Sequence, residues 1–233
     1  MNERHRLGFV ILFAAAMAWV EAAVVLYLRV YLNRIQPYQV DPLPSSLGLA
    51  RAELVREVAT LVMLGCVGFL AGADRRSRIG FAMLAFGMWD ILYYIFLAPL
   101  SGWPSSLMDW DILFLIPLPW WGPVLAPAII AALMAVTGTV IALAHLWPHF
   151  LSWLVFLAGV FLALYTFMAD ALRALGNGAL AVRNVLPAWY NWPLFALALT
   201  LLALPLAEMI WRGWSTPEGR SKVRSRQESP VSA

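Results

Sequence analysis

The chain reads as an all-α polytopic membrane protein: a bundle of six transmembrane helices with a re-entrant or interfacial segment between helices 3 and 4. Three observations predict this. Hydrophobic residues make up 62% of the 233 residues and charged residues only 12%, about half the charge of an ordinary soluble domain. The apolar residues fall into runs of bilayer length, roughly 20 residues at 1.5 Å rise each. Finally, 12 Trp stand beside a single lysine, Lys222, a mixture suited to lipid and its interfaces.

The first run covers 8–32 behind a short basic start. It is too long for a cleaved signal peptide and lacks a small-residue cleavage site, so it reads as an uncleaved anchor. Further spans are expected over 52–72, 79–100, 123–146, 150–175 and 189–211. Arg75, Arg76 and Arg78 separate the second and third, Trp147-Pro148-His149 links the fourth and fifth, and Gly176-Asn177-Gly178 ends the fifth. Residues 1–212 thus form the transmembrane domain, and 213–233 read as a disordered, basic cytoplasmic tail.

Basic residues near the spans set the orientation. With the N-terminus inside, the cytoplasmic side receives Arg4, Arg6, Arg75, Arg76, Arg78, Arg212 and the four basic residues of the tail, ten in all. The opposite side receives six: Arg29, Arg34, Arg51, Arg56, Arg173 and Arg183. Both ends are therefore expected on the cytoplasmic side, in a bacterial inner membrane. The net charge of +3 sits in short segments, not in the basic face that a nucleic-acid partner needs. Cys66 is the only cysteine, which excludes an internal disulfide, a Cys-ligated zinc site and a CxxC redox pair.

The informative charges lie within the membrane. Glu21 falls past the middle of the first span, Glu53, Arg56 and Glu57 in the outer turns of the second, and Asp90 with Tyr93 and Tyr94 past the middle of the third. Asp170 and Arg173 approach the outer end of the fifth, and Asp109 and Asp111 belong to the outer connection. Helical phase groups Glu53, Glu57, Thr60 and Gly68 on one face, and Gly159, Thr166, Asp170 and Arg173 on another. Costly intramembrane acids default to functional sites. Asp170 and Arg173, an i,i+3 pair near a helix end, read as a local pair instead.

The connection 100–122 is too short to cross and return, yet too apolar for a solvated loop; it reads as a cap over the outer mouth or an aromatic anchor. Within it, Trp110-Asp111-Ile112-Leu113-Phe114 resembles Trp89-Asp90-Ile91-Leu92-Tyr93. Trp19 and Trp89 lie near mid-depth beside acids and could wall a site. His145 and His149 are four apart but flank Pro148 at an interface, which favours a snorkelling role over metal binding.

Several chemistries lack their residues. No serine–histidine pair reaches the outer layer, no second cysteine exists for thiol oxidation, and P-loop and dinucleotide glycine motifs are absent. The sequence leaves the identity of any cofactor unknown. The substrate or ion-binding candidates are Glu21, Glu53, Arg56, Glu57, Trp89, Asp90, Tyr94 and Asp111, with Glu21, Glu57 and Asp90 as a possible carboxylate cation site. The expected function is binding or transport of a cation or proton-coupled small solute, in a chain small enough to need a homo-oligomer. The alternatives are an intramembrane enzyme acting on a lipid or isoprenoid, and a structural or assembly subunit. In the enzyme, Glu57 or Asp90 would serve as base, Arg56 as anion-stabilising group, and Glu21 or Asp111 as second acid or metal ligand.

Overall fold

The structure is a computed structural model describing residues 3–40, 42, 47–144 and 146–215. Its elements in order are α1 (Glu3–Tyr31), α2 (Leu47–Ala71), α3 (Arg75–Ser101), β1 (Trp110–Ile112), β2 (Trp121–Pro123), α4 (Leu125–Ala144), α5 (Phe150–Ala174), a 3₁₀ turn (Leu175–Asn177), α6 (Ala179–Arg183) and α7 (Trp192–Ser215). Among the described residues, six helices are long and apolar enough to cross a membrane: α1, α2, α3, α4, α5 with its 3₁₀ extension, and α7.

α3 is the centre of the first four helices, packing on α1, α2 and α4, while α5 packs on α7. Its start is set by Asp74, whose carboxylate accepts from the Arg76 and Ser77 N–H groups at 2.8 and 3.0 Å. Ser77 Oγ in turn accepts from the Asp74 N–H at 3.0 Å, closing a capping box. The helix stops at Gly102, which takes a left-handed φ of 72° and returns its N–H to the Ala98 carbonyl. Contact between α3 and α4 is close enough to require glycine. A Cβ on Gly87 would stand 2.3 Å from the Ala131 carbonyl oxygen, and one on Gly138 would stand 2.4 Å from that of Gly80. In a bilayer, where apolar burial does not drive helices together, such backbone approach supplies the packing.

The connection between α3 and α4 forms an antiparallel hairpin in which Asp111 pairs with Gly122 and Ile112 with Trp121. Two further bonds prolong it, Leu113 N–H to the Trp120 carbonyl at 2.9 Å and Trp120 N–H to the Phe114 carbonyl at 2.8 Å. It is seated by aromatic contacts on α5 and the approach to α7: Trp120 stacks on Phe167 at 6.3 Å between centroids, and Trp110 meets the Tyr190 edge at 6.1 Å. Trp121 is 2% exposed. The segment's apolar character therefore belongs to a hairpin packed into protein, where the strands satisfy each other's backbone groups.

Helix limits differ from the sequence expectation where polar residues continue the helix. α1 begins at Glu3 and so includes the basic start, and α2 begins at Leu47, with Arg51 already helical. α7 begins at Trp192, because Tyr190 turns back onto Phe167 and Phe195. It continues to Ser215, so 213–215 are helix; the rest of the expected tail, 216–233, lies outside the described residues.

Two ends of the bundle can be told apart. At one, Arg6 Nη1 donates to the Ala71 carbonyl (3.1 Å), Arg76 lies over the Trp147 ring and Arg212 Nη1 donates to the Trp147 carbonyl (3.3 Å). This gathers the start of α1, the α2–α3 and α4–α5 links and the last turns of α7 at a single, arginine-rich end. At the other end stand the hairpin, the α1–α2 connection and the α5–α7 connection, where Tyr38 donates to the Pro187 carbonyl at 2.7 Å.

Candidate functional site: a carboxylate cavity beside an apolar one

Each wall of the site follows from helical phase. On α1 the buried residues Val10, Ala14, Met17, Glu21, Val25 and Arg29 recur every three or four positions, so both charges point inward with the apolar stripe. On α2, Glu57, Thr60 and Leu64 are buried while Leu54, Val55, Val58, Leu61 and Val62 are exposed. α3 contributes Trp89, Asp90 and Tyr94, and strand β1 contributes Asp111. The matching Trp-Asp-Ile-Leu stretches thus have different backbones, one helical and one extended, yet both aspartates reach the same cavity.

That cavity has a volume of about 140 Å³. Five carboxylates line it (Glu21, Glu53, Glu57, Asp90, Asp111) against three guanidinium groups (Arg29, Arg34, Arg56), with Trp89, Tyr93 and Tyr94 beside them. Asp111, 2% exposed, is held from both sides: Arg29 Nη2 donates to Oδ1 at 3.2 Å and the Tyr94 hydroxyl donates to Oδ2 at 3.0 Å. Burial pushes the Asp111 carboxyl up from its ordinary value, while Arg29, Tyr94 and the Ile112 N–H partly hold it down. Arg29 is itself fixed by the Ile35 carbonyl at 3.2 Å and by the Trp103 ring, 4.1 Å from the guanidinium carbon to the centroid. Arg56 bridges Glu21 and Glu53, its Nε donating to Glu53 at 3.0 Å. Thr60 Oγ1 donates to Glu21 at 3.5 Å.

Two acids stand outside these ion pairs. Both Glu57 oxygens accept the Leu115 N–H at 3.0 Å, which ties α2 to the hairpin, and no described arginine pairs with Glu57. Asp90 is 9% exposed, and its Oδ2 has no partner among the described residues. The indole N–H of Trp89 and the amide nitrogen of Gln39, both from residues lining the cavity, are likewise buried without a partner.

A second cavity of about 290 Å³ adjoins the first. Its walls come from α3, α4, α5, α7 and the hairpin, and they are almost wholly apolar: Phe86, Leu133, Met134, Phe156, Val160 and Phe167 among others. Asp90 and Leu113 line both cavities.

The structure thus brings Glu21, Glu53, Arg56, Glu57, Trp89, Asp90, Tyr94 and Asp111 to one cavity. Glu21, Glu57 and Asp90 do not converge further. Among the described residues no three acid, histidine or cysteine side chains form a group that could hold a metal ion; Glu21 is taken up by Arg56 and Thr60, and Glu57 by a backbone N–H. Asp170 and Arg173 pair with each other at 2.9 Å, with Arg173 66% exposed, and do not line either cavity. Asp109 caps its own turn by accepting from the Ser105 and Ser106 N–H groups. Trp19 lines neither of these two cavities: it is 49% exposed and makes an edge-to-face contact with Phe96. His149 faces Glu208 at the opposite end, and His145 lies outside the described residues.

The sequence places Arg29 only among the six basic residues of the outer side, and its pairing with Asp111 appears in the structure alone. The available signal was its spacing of eight from Glu21, two helical turns along one face. The Leu115 N–H and the apolar cavity left no local signal at all. No protein-family model, curated protein or solved structure matches this chain.

Proposed function

We propose that the carboxylate cavity binds a small cation or proton-coupled solute, and that the protein moves this solute from the non-cytoplasmic face of a bacterial inner membrane. The observation that carries the proposal is Asp90. It is buried and lines the cavity, its Oδ2 has no partner, and neither it nor Glu57 forms an ion pair with an arginine among the described residues. A lone buried carboxylate costs too much to stay charged, so a proton or a cation must cover it, and exchange between the two couples proton binding to solute binding. In this reading both chain ends are cytoplasmic, the hairpin dips below the outer surface as the floor of the entrance, and copies of the chain assemble into a homo-oligomer.

Flux in reconstituted vesicles tests the proposal. A cation or pH gradient should drive uptake in the wild type, and Asp90→Asn and Glu57→Gln should each abolish it while leaving a monodisperse, folded protein. Undiminished flux in both folded variants overturns it. The apolar cavity at Asp90 favours a second reading, an intramembrane enzyme with a lipid or isoprenoid substrate and Asp90 as general base. It ranks lower because Arg56, the candidate anion-stabilising group, is already engaged by Glu21 and Glu53. It predicts lipid turnover by the purified protein without flux.

A further inference from the structure

We propose that the natural ligand is an aminolipid. Its primary ammonium and adjoining oxygens occupy the carboxylate cavity at Asp90, and one hydrocarbon chain lies in the apolar cavity between α4 and α5. The inference rests on the cation-binding reading and narrows its ligand class. Its foundation is that one buried, unpartnered carboxylate borders two cavities of opposite character.

The apolar cavity exists because consecutive helices part company. α4 packs on α3 and α5 packs on α7, and the cavity left beside them is lined by Met134 of α4, Val160 of α5 and Leu113, Phe114 and Trp120 of the hairpin. The gap lies along helices that span the membrane. Water there would find few polar partners, chiefly Asp90, Thr137 and the Trp120 indole N–H, unpartnered among the described residues, whereas a lipid chain suits the apolar remainder of the walls. Asp90 lines both cavities, so a chain in the gap can place its headgroup at that carboxylate.

The headgroup is read from the groups that receive it. Five carboxylates against three guanidinium groups favour a positive charge. Asp90 Oδ2 needs a donor, while Trp89 Nε1 and Gln39 Nε2 need acceptors. An ammonium beside ester or phosphate oxygens supplies both. A trimethylammonium carries the charge but has no N–H to donate, so the site should discriminate between the two heads.

The test uses the full chain in phosphatidylcholine nanodiscs. Probes are phosphatidylethanolamine and phosphatidylcholine carrying the same mid-chain diazirine, with labelled residues mapped by mass spectrometry. The ethanolamine probe should label Met134 and Val160 about tenfold more than the choline probe, the worth of one charge-assisted hydrogen bond. Asp90→Asn should remove that preference. Met134→Trp, which fills the gap, should displace the label yet leave methylammonium able to protect Asp90 from carbodiimide modification. Equal labelling by the two probes, or labelling confined to outward-facing residues, overturns the aminolipid assignment. If methylammonium still protects Asp90 in that case, the cation-binding reading stands; if it does not, both fall. The headgroup comparison needs no variant, so a misfolded Asp90→Asn leaves it decisive.

Discussion

Arginine–carboxylate contacts occur at both ends of this bundle, and they differ in what surrounds them. At the arginine-rich end, Glu208 pairs with Arg212 at 3.0 Å, also meets His149 and Ser152, and the Arg212 side chain is 42% exposed. At the hairpin end, Arg29 and Asp111 pair at 3.2 Å with side chains 11% and 4% exposed. The same chemistry therefore does different work. A wet pair trades water for a partner and gains little, mostly under about 1 kcal/mol. A dry pair has already lost its water, so each charge depends on the other, and removing one costs about 3–5 kcal/mol.

Replacing single partners at the two ends tests that contrast, and the dry pair should respond most. Asp111→Ala strands Arg29 and frees the Tyr94 hydroxyl; thermal unfolding followed by tryptophan fluorescence should show a loss of about 3–5 kcal/mol. The double variant Arg29→Leu/Asp111→Leu should recover most of that loss, because no unpaired charge is left buried. A double variant no more stable than the single one would mean that the pair itself, and not the stranded charge, sets the penalty. Glu57→Gln comes next. The amide oxygen can still accept the Leu115 N–H, but without charge assistance, so the loss should be about 1 kcal/mol. Glu208→Gln should be smallest, under about 1 kcal/mol, and should shrink further in high salt as a solvent-exposed pair requires. An effect of Glu208→Gln as large as that of Asp111→Ala would erase the distinction between the ends.

The same contrast explains which parts of the site could be read in advance. Glu21, Glu57 and Asp90 stood out because an acid inside an apolar run is costly wherever the helix points. The inward direction of Glu57 also followed from phase, since it shares a helical face with Thr60 and both are buried. Asp170 and Arg173 satisfied the same phase rule and still fell outside the cavity, because α5 packs on α7 and not on α1 or α2, and Arg173 at its end is 66% exposed. Phase gives a direction around one helix and says nothing about which neighbour lies there. Trp19 failed for a related reason: it is two residues from Glu21 and hence on nearly the opposite face of α1.

Composition and periodicity alone determined the six membrane-length helices found among the described residues, the acids within the apolar runs of α1, α2 and α3, and a segment before α4 too apolar to be a simple loop. These are properties of one segment in an apolar solvent, and bilayer thickness and the 3.6-residue turn are enough to set them. The tertiary structure decided the pairings: Arg29 with Asp111, 82 residues apart, and Glu57 with the Leu115 N–H, 58 residues apart. It also decided that α4 and α5 separate to leave an apolar cavity at Asp90. Such contacts depend on which helices touch and how closely, and glycine positions such as Gly87 and Gly138 govern that approach only once a partner backbone is opposite them. A carboxylate can announce its cost in the sequence, but its partner is chosen by packing.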